Sequence, residues 1–247
     1  MTETVERPQV SWRARRWCAG QTRGMREVRR PEAVVFDVVE TMFSLGRVGD
    51  ALAEAGQPTS TELFFTRLLR DAFALGSAGR YRPFTQHADA ALSVVAPALG
   101  ATGREQVLAA FGDLDVHQDV IPAFEHLRAQ GVRVATLSNG AAPATVRLLD
   151  RHALIEHVEL VISVDEVQVW KPQPAPYRHA LERLGLPADR VAMVAVHAWD
   201  LHGARNAGLV TGWASRLEET YSPVFDPPDV SGVDLVEVVE GLLAMSD

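Results

Sequence analysis

Between residues 44 and 112 this chain reads as one helical segment after another, while on both sides of that stretch it reads as strand alternating with helix. A short apolar run rich in β-branched residues, Ala33–Val38, comes first and has the pattern of a buried strand. In the long stretch that follows, Leu63, Phe64, Leu68, Leu69, Phe73 and Leu75 recur at spacings of three and four. Ala88–Leu99 and Glu105–Phe111 continue the helical pattern, and Gly76–Gly79 and the Arg82-Pro83 pair interrupt it. The alternation then resumes. Ala123–Gln130, Pro143–Arg151, Ala175–Leu184, His202–Ala207 and Asp234–Met245 read as helices, and Val132–Leu137, Leu160–Val164, Val191–Val196 and Val210–Ala214 as strands. Strands alternating with helices imply an α/β fold, a parallel sheet covered on both faces. The helical stretch directly after the first strand implies a small cap over the sheet's carboxyl edge.

That edge is where open α/β sheets place their ligand sites, and polar groups fall there at successive strand ends. The run VVFDVVETMFS, residues 34–44, ends its apolar part at Asp37, with Thr41 four residues on. A carboxylate so placed can attack a substrate carbon or phosphorus and form a covalent intermediate. The second strand leads to Ser138, Asn139 and Gly140, which open a helix whose N-terminal N–H groups and dipole suit an anion. The third leads to Lys171-Pro172, and the fourth to His197 and Asp200. Each feature alone is an ordinary turn, cap or surface residue. All of them in this order point to a site.

Composition narrows the function. At 247 residues the chain can bury a sizeable core. Its net charge of −8 gives the body no electrostatic footprint for nucleic acid. Cys18 is the one cysteine, which rules out an internal disulfide and fits a reducing cytoplasm, where we expect the protein to reside. No apolar stretch approaches the roughly 18–20 residues of a membrane span, so no membrane partner is expected. Residues 1–30 carry eight arginines and few aliphatics. Arg15-Arg16 lacks the apolar segment of an export signal, and the expectation is a mobile basic tail.

The stretches FDVVETMFSL (36–45), GRYRPF (79–84), TLSNGA (136–141), SVDEVQVWKPQPAPY (163–177) and HAWDLHGARNAGLVTGWASR (197–216) resemble the haloacid dehalogenase superfamily, and within it the type II 2-haloacid dehalogenase branch. The resemblance runs from Pro31 to the end. It implies a Rossmann-like core, residues 31–45 and 113–247, with the helical cap at 46–112. It further implies a metal-independent hydrolase without a cofactor, which cleaves the carbon–halogen bond of a short, anionic 2-haloacid through an aspartyl ester, and a homodimer. Asp37 then resembles the nucleophile and Thr41 the residue that holds its carboxylate. Ser138 and Asn139 resemble the pair that contacts substrate carboxylate and leaving halide. Lys171 resembles the lysine that keeps Asp37 ionised, as a nearby cation should. Asp200 resembles the acid that orients or activates the hydrolytic water.

Several positions depart from the family. Superfamily phosphatases carry a second aspartate two residues after the nucleophile and an acidic pair for Mg²⁺. Here Val39 and Val196 stand in those places. Two carboxylates beside a lysine make a poor site for a cation that wants near-octahedral oxygen ligands, so no metal is expected. The dehalogenase pattern is altered too: Val39 replaces an aromatic, Glu40 a glycine, and Ala195, Val196 and His197 a Ser-Ser-Asn run. His197 is expected to hold the water or act as a base near neutral pH. Phe65 falls near the place of the cap arginine that helps bind halide, with Arg67 or Arg70 on the same helix as substitutes for substrate binding. The alternatives are a superfamily phosphatase or other small-acid hydrolase, and a catalytically weak accessory protein on this fold.

Overall fold

The computed structural model describes residues 28–57 and 61–247. The basic tail therefore lies outside the described residues except for its last three, of which Arg30 donates its backbone N–H to Ser246 O (2.8 Å). Strand β1 (Ala33–Phe36) is followed by β2 (Phe43–Ser44), then helices α1 (Gly46–Glu54), α2 (Thr61–Ser77), α3 (Phe84–Val95) and α4 (Gly100–Ala109). Strand β3 (Asp115–Val116) returns antiparallel to β2 at the foot of these helices. The rest alternates: α5 (Val120–Ala129), β4 (Arg133–Ser138), α6 (Ala142–Arg151), β5 (Leu160–Ser163), α7 (Pro174–Leu184), β6 (Val191–Ala195), α8 (Ala198–Asn206), β7 (Val210–Ala214), β8 (Val230–Gly232) and α9 (Leu235–Leu243). Among the described residues no helix is long and apolar enough to cross a membrane.

The main sheet is parallel throughout, in the order β5-β4-β1-β6-β7-β8. Strand β1 lies inside it, and all four of its residues are buried. Its side chains alternate between two cores, as a period of two requires. Val34 and Phe36 face Phe124 and Leu127 of α5 and Val238 and Leu242 of α9, while Ala33 and Val35 face Ala180 of α7 and Leu201 and Ala204 of α8. Burying each larger apolar side chain contributes about 1.5–3 kcal/mol. The strand that leads into Asp37 is therefore buried between two apolar cores.

The expected strand Ala33–Val38 ends two residues early. Val38 leaves the ladder because its carbonyl accepts the N–H groups of both Met42 (2.9 Å) and Phe43 (3.1 Å), which closes a tight turn after Asp37. The expected helix His202–Ala207 begins four residues earlier, so that His197 caps α8 and Asp200 stands in its first turn. A carboxylate is favoured there by the positive end of the helix dipole. Gly203 lets α8 approach closely: a Cβ on it would lie 2.6 Å from both Pro172 O and the Tyr177 hydroxyl.

The cap meets the core through two of the stretches singled out in the sequence. Trp170 donates its indole N–H to Arg82 O (2.8 Å) and stacks on Phe84, and the Tyr81 hydroxyl donates to Asp165. GRYRPF thus sits against the loop that delivers Lys171.

Candidate active site

Four strand ends deliver polar side chains to the carboxyl edge of the sheet. Asp37 follows β1, Ser138 ends β4 and precedes Asn139, Lys171 lies in the loop after β5, and His197 and Asp200 follow β6. Lys171 is fully buried, and its Nζ donates three hydrogen bonds: to Asp37 Oδ1 (2.7 Å), Asp200 Oδ2 (2.6 Å) and Leu137 O (2.9 Å). An ammonium has three protons, so these bonds saturate it. Thr41 Oγ1 donates to the other Asp37 oxygen, Oδ2 (2.8 Å), and accepts the Val196 N–H (3.1 Å). Arg216 supports that turn by donating to Thr41 O (3.0 Å) while paired with Asp119 (2.6 Å). Asn139 Oδ1 accepts the backbone N–H of Lys171 (3.0 Å), and Ser138 Oγ accepts the N–H of Gly140 (2.9 Å). The N-cap residue of α6, Ala141, supplies no side-chain cap.

These contacts set the protonation states. Burial pushes the Lys171 ammonium down, but the charges and hydrogen bonds of Asp200 and Asp37 outweigh it, and the group is held above its ordinary range. Burial raises Asp200, as does the neighbouring charge of Asp37, against the pull of Lys171 and Tyr177. Tyr177 is buried, and burial together with Asp200 holds its phenol well above the usual value, so it remains a donor. It donates a hydrogen bond to Asp200 Oδ1 at 2.6 Å. The sequence reading assigned Tyr177 no role. Its helix places it in line with Ala180 and Leu184, so by spacing alone it is a core residue.

The cavity above Asp37 holds ≈ 20 Å³, about the room one water needs. Asp37, Ser138, Asn139 and His197 line it from the core, and Phe65, Leu69 and Phe84 from the cap. It adjoins two larger spaces. One, of ≈ 240 Å³, shares Val39, Phe84, Ser138 and Gly140 with it and is otherwise walled mainly by apolar side chains such as Leu108, Phe111 and Leu148. The other, of ≈ 770 Å³, shares Phe65, Leu69, His197 and Trp199.

The structure thus gathers Asp37, Thr41, Lys171, His197, Asp200, Ser138, Asn139 and Phe65 around one point. Arg67 is not brought there. It comes two residues after Phe65 on α2, about 200° around a helix of 3.6 residues per turn, and lines none of the three spaces. Arg70 reaches the larger outer space, but its guanidinium is paired with Asp71 (2.6 Å). Glu40, read from the sequence only as a stiffer replacement for glycine, has its carboxylate 3.1 Å from His197 Nε2.

A buried carboxylate just after an inner strand of a parallel sheet, held by a threonine and a buried lysine beneath a helical cap, has the arrangement of an α/β hydrolytic site. Comparison with known proteins agrees. Residues 31–208 match the family model of haloacid dehalogenase-like hydrolases, and the chain belongs to that family. Its relatives place it in the type II branch. The chain is 30% identical over 219 residues to (S)-2-haloacid dehalogenase 2 of Pseudomonas sp. strain CBS-3, covering 85% of this chain and 94% of that one. It is 28% identical to (S)-2-haloacid dehalogenase H-109 of Pseudomonas putida, covering 86% and 98%. The solved L-2-haloacid dehalogenase of Xanthobacter autotrophicus superposes with a TM-score of 0.77 at 25% identity, covering 87% of this chain and all of that one.

Proposed function

We propose that this protein hydrolyses the carbon–halogen bond of a short 2-haloacid through an ester on Asp37. The observation that carries the reading is the bridge of Lys171 Nζ between Asp37 and Asp200. In the first step a carboxylate oxygen of Asp37 attacks C2 and the halide leaves with the bonding electrons. Thr41 and Lys171 hold one carboxylate oxygen each and keep the group aimed, which is an orientation effect. Asn139 acts through Lys171, whose backbone it holds, and Ser138 borders both the small cavity at Asp37 and the adjoining ≈ 240 Å³ space, which together receive the anionic substrate. In the second step water adds to the ester carbonyl, its proton passes toward Asp200, and the 2-hydroxyacid leaves. Asp37 is regenerated, and the sum is haloacid plus water giving hydroxyacid, halide and a proton. Phe65 and Phe84 exclude bulk water, which strengthens the electrostatics within. A solved structure of the Xanthobacter enzyme carries covalently bound chloropropionic acid, which supports a covalent route here.

A phosphatase needs a cation beside the nucleophile, and the donor set does not fit one. The point between Asp37 and Asp200 belongs to the Lys171 ammonium, and Val39 and Val196 offer no carboxylate. The direct test is halide release from (S)-2-chloropropionate with and without EDTA. Release that EDTA leaves unchanged and that Asp37→Asn abolishes is the expected result. Sustained release by the variant would sink the ester mechanism. Asp200→Asn should slow the second step and leave the substrate's mass on Asp37 in a tryptic digest.

A further inference from the structure

The floor of this cavity has more negative than positive charge. Asp37, Asp200 and Glu40 lie around a single ammonium, Lys171, whose three protons are already committed to Asp37, Asp200 and a backbone carbonyl. An anionic substrate would meet net repulsion there. The cap helix supplies no relief through Arg67 or Arg70, one lying off the cavity and the other paired with Asp71. We propose that His197, paired with Glu40, presents the positive charge that receives an anion in this cavity, and is not the base that deprotonates water. The identity of that anion, a substrate carboxylate or a departing halide, rests on the hydrolase reading above.

Three features of the structure carry this. His197 lines both the Asp37 cavity and the outer space, and so stands on the route between them. Its ring is fixed: Nε2 faces Glu40 Oε2 at 3.1 Å, and the plane stacks on Trp199 with centroids 5.2 Å apart at 20°. An imidazolium has two donors, so with Nε2 given to Glu40 the Nδ1–H is left for a ligand. Finally, Glu40 adopts left-handed backbone, φ 67°, which a glycine takes freely and a glutamate does not. Strain of this sort persists where surrounding structure over-determines it and is concentrated at functional sites. Here it sets a carboxylate against the histidine.

The electrostatics agree in sign. Burial alone pushes the imidazole down, but the hydrogen bond it donates to Glu40 and the charges of Asp37, Glu40 and Asp200 carry it above the ordinary value. Lys171 opposes this from the loop after β5, and the outer space adds Glu62 and Arg70 from α2 and Glu218 from the segment after β7. Protonated histidine leaves the cluster one charge less negative.

The test titrates the histidines of the full chain by NMR, with His197→Asn identifying the signal, in the presence and absence of propionate, an unreactive carboxylate, and separately of chloride. The His197 signal should titrate above the free-imidazole value of about 6.5, fall in Glu40→Gln and Glu40→Gly, and rise when an anion binds. Propionate or chloride affinity should weaken by up to about tenfold per pH unit above that midpoint, and this dependence should vanish in His197→Asn. A response to propionate alone assigns the charge to the substrate carboxylate, and a response to chloride alone assigns it to the halide. Glu40→Gly keeps the backbone at ease, so loss of the effect there is not loss of fold. A midpoint at or below free imidazole, or anion binding indifferent to His197, overturns the proposal. So does halide release that increases as His197 loses its proton, because that is the signature of a base. If no 2-haloacid releases halide, the hydrolase reading fails, while the propionate and chloride titrations still decide the charge on His197.

Discussion

On the floor of the cavity Asp37, Thr41, Lys171, Tyr177 and Asp200 are buried and hydrogen-bonded to one another. On its roof Phe65, Leu69 and Phe84 offer only apolar surface. The floor is built on strand ends and first helical turns anchored in the sheet, and the roof on helices joined to it through β2, β3 and the contacts of Trp170 and Tyr81. The difference teaches how the labour divides. Reacting groups need fixed charge and fixed geometry, which a dense core supplies, whereas admission of substrate and exclusion of water need shape.

The comparison is broken most severely by Lys171→Ala. Removing one partner of a buried ion pair costs about 3–5 kcal/mol, and here two carboxylates lose their cation together. Chemical denaturation should show a loss of that size, and turnover should fall by about 10⁴-fold or more, as when a member of a catalytic unit is removed. The sign with pH is fixed by Asp200. Its folded value is already raised by burial and Asp37, and without Lys171 it rises further, so the charged form costs stability and protonation restores it. The deficit should therefore shrink as pH falls from 8 toward 5. A deficit that grows on acidification would contradict the charge assignment of the floor.

Tyr177→Phe tests the same floor more gently. A hydrogen bond to a charged group is worth about 1.5–3 kcal/mol, and this one is made to Asp200 Oδ1. Losing a donor raises the carboxyl further. The acid limb of the pH–rate profile should move to higher pH, and the ester on Asp37 should accumulate, because only the second step uses Asp200. An unshifted limb with a uniformly lower rate would reduce Tyr177 to packing.

On the roof side, Val39→Phe sharpens the contrast between chemistry and shape. Val39 borders both the Asp37 cavity and the ≈ 240 Å³ apolar space beside it, so a larger side chain closes the way between them. Each methylene excluded from an apolar pocket is worth about 1–3 kcal/mol at most. Halide release from 2-chlorohexanoate should fall by tenfold or more while that from 2-chloropropionate changes little. An equal loss on both substrates would mean that Val39 shapes the floor.

The same division explains what the sequence disclosed. The strand ends were legible because apolar runs that stop at Asp37, Ser138 and His197 leave few other places for those residues. Strand β7 was read to the residue, and β1 was overread by two, Asp37 and Val38, because Val38 is β-branched yet turns away through a bond pattern no periodicity reveals. The two-residue strands β2 and β3, and β8, are too short to carry a pattern. Helix α8 was begun four residues late, at His202 rather than Ala198. Pairings across long separations, Tyr177 with Asp200 and Glu40 with His197, have no signature in either partner's neighbourhood. The roof was the least legible part. Spacing showed that α2 is amphipathic, but an arginine two positions from Phe65 faces elsewhere, and only the packed helix shows which way.

Arg67→Ala should accordingly have the smallest effect. Arg67 is half-buried on α2 and lies off all three spaces around Asp37. Substitutions away from packed or charged features stay within about 0.5 kcal/mol, so kcat/KM for 2-chloropropionate should stay within about twofold of the unaltered protein, and the midpoint of denaturation should barely move. Measured beside His197→Asn, this variant locates the cation that receives the anion. A large rise in KM for Arg67→Ala with none for His197→Asn would move that cation from the floor to the roof. It would require α2 to turn or shift when substrate binds, and the roof would then take part in the chemistry as well as enclosing it.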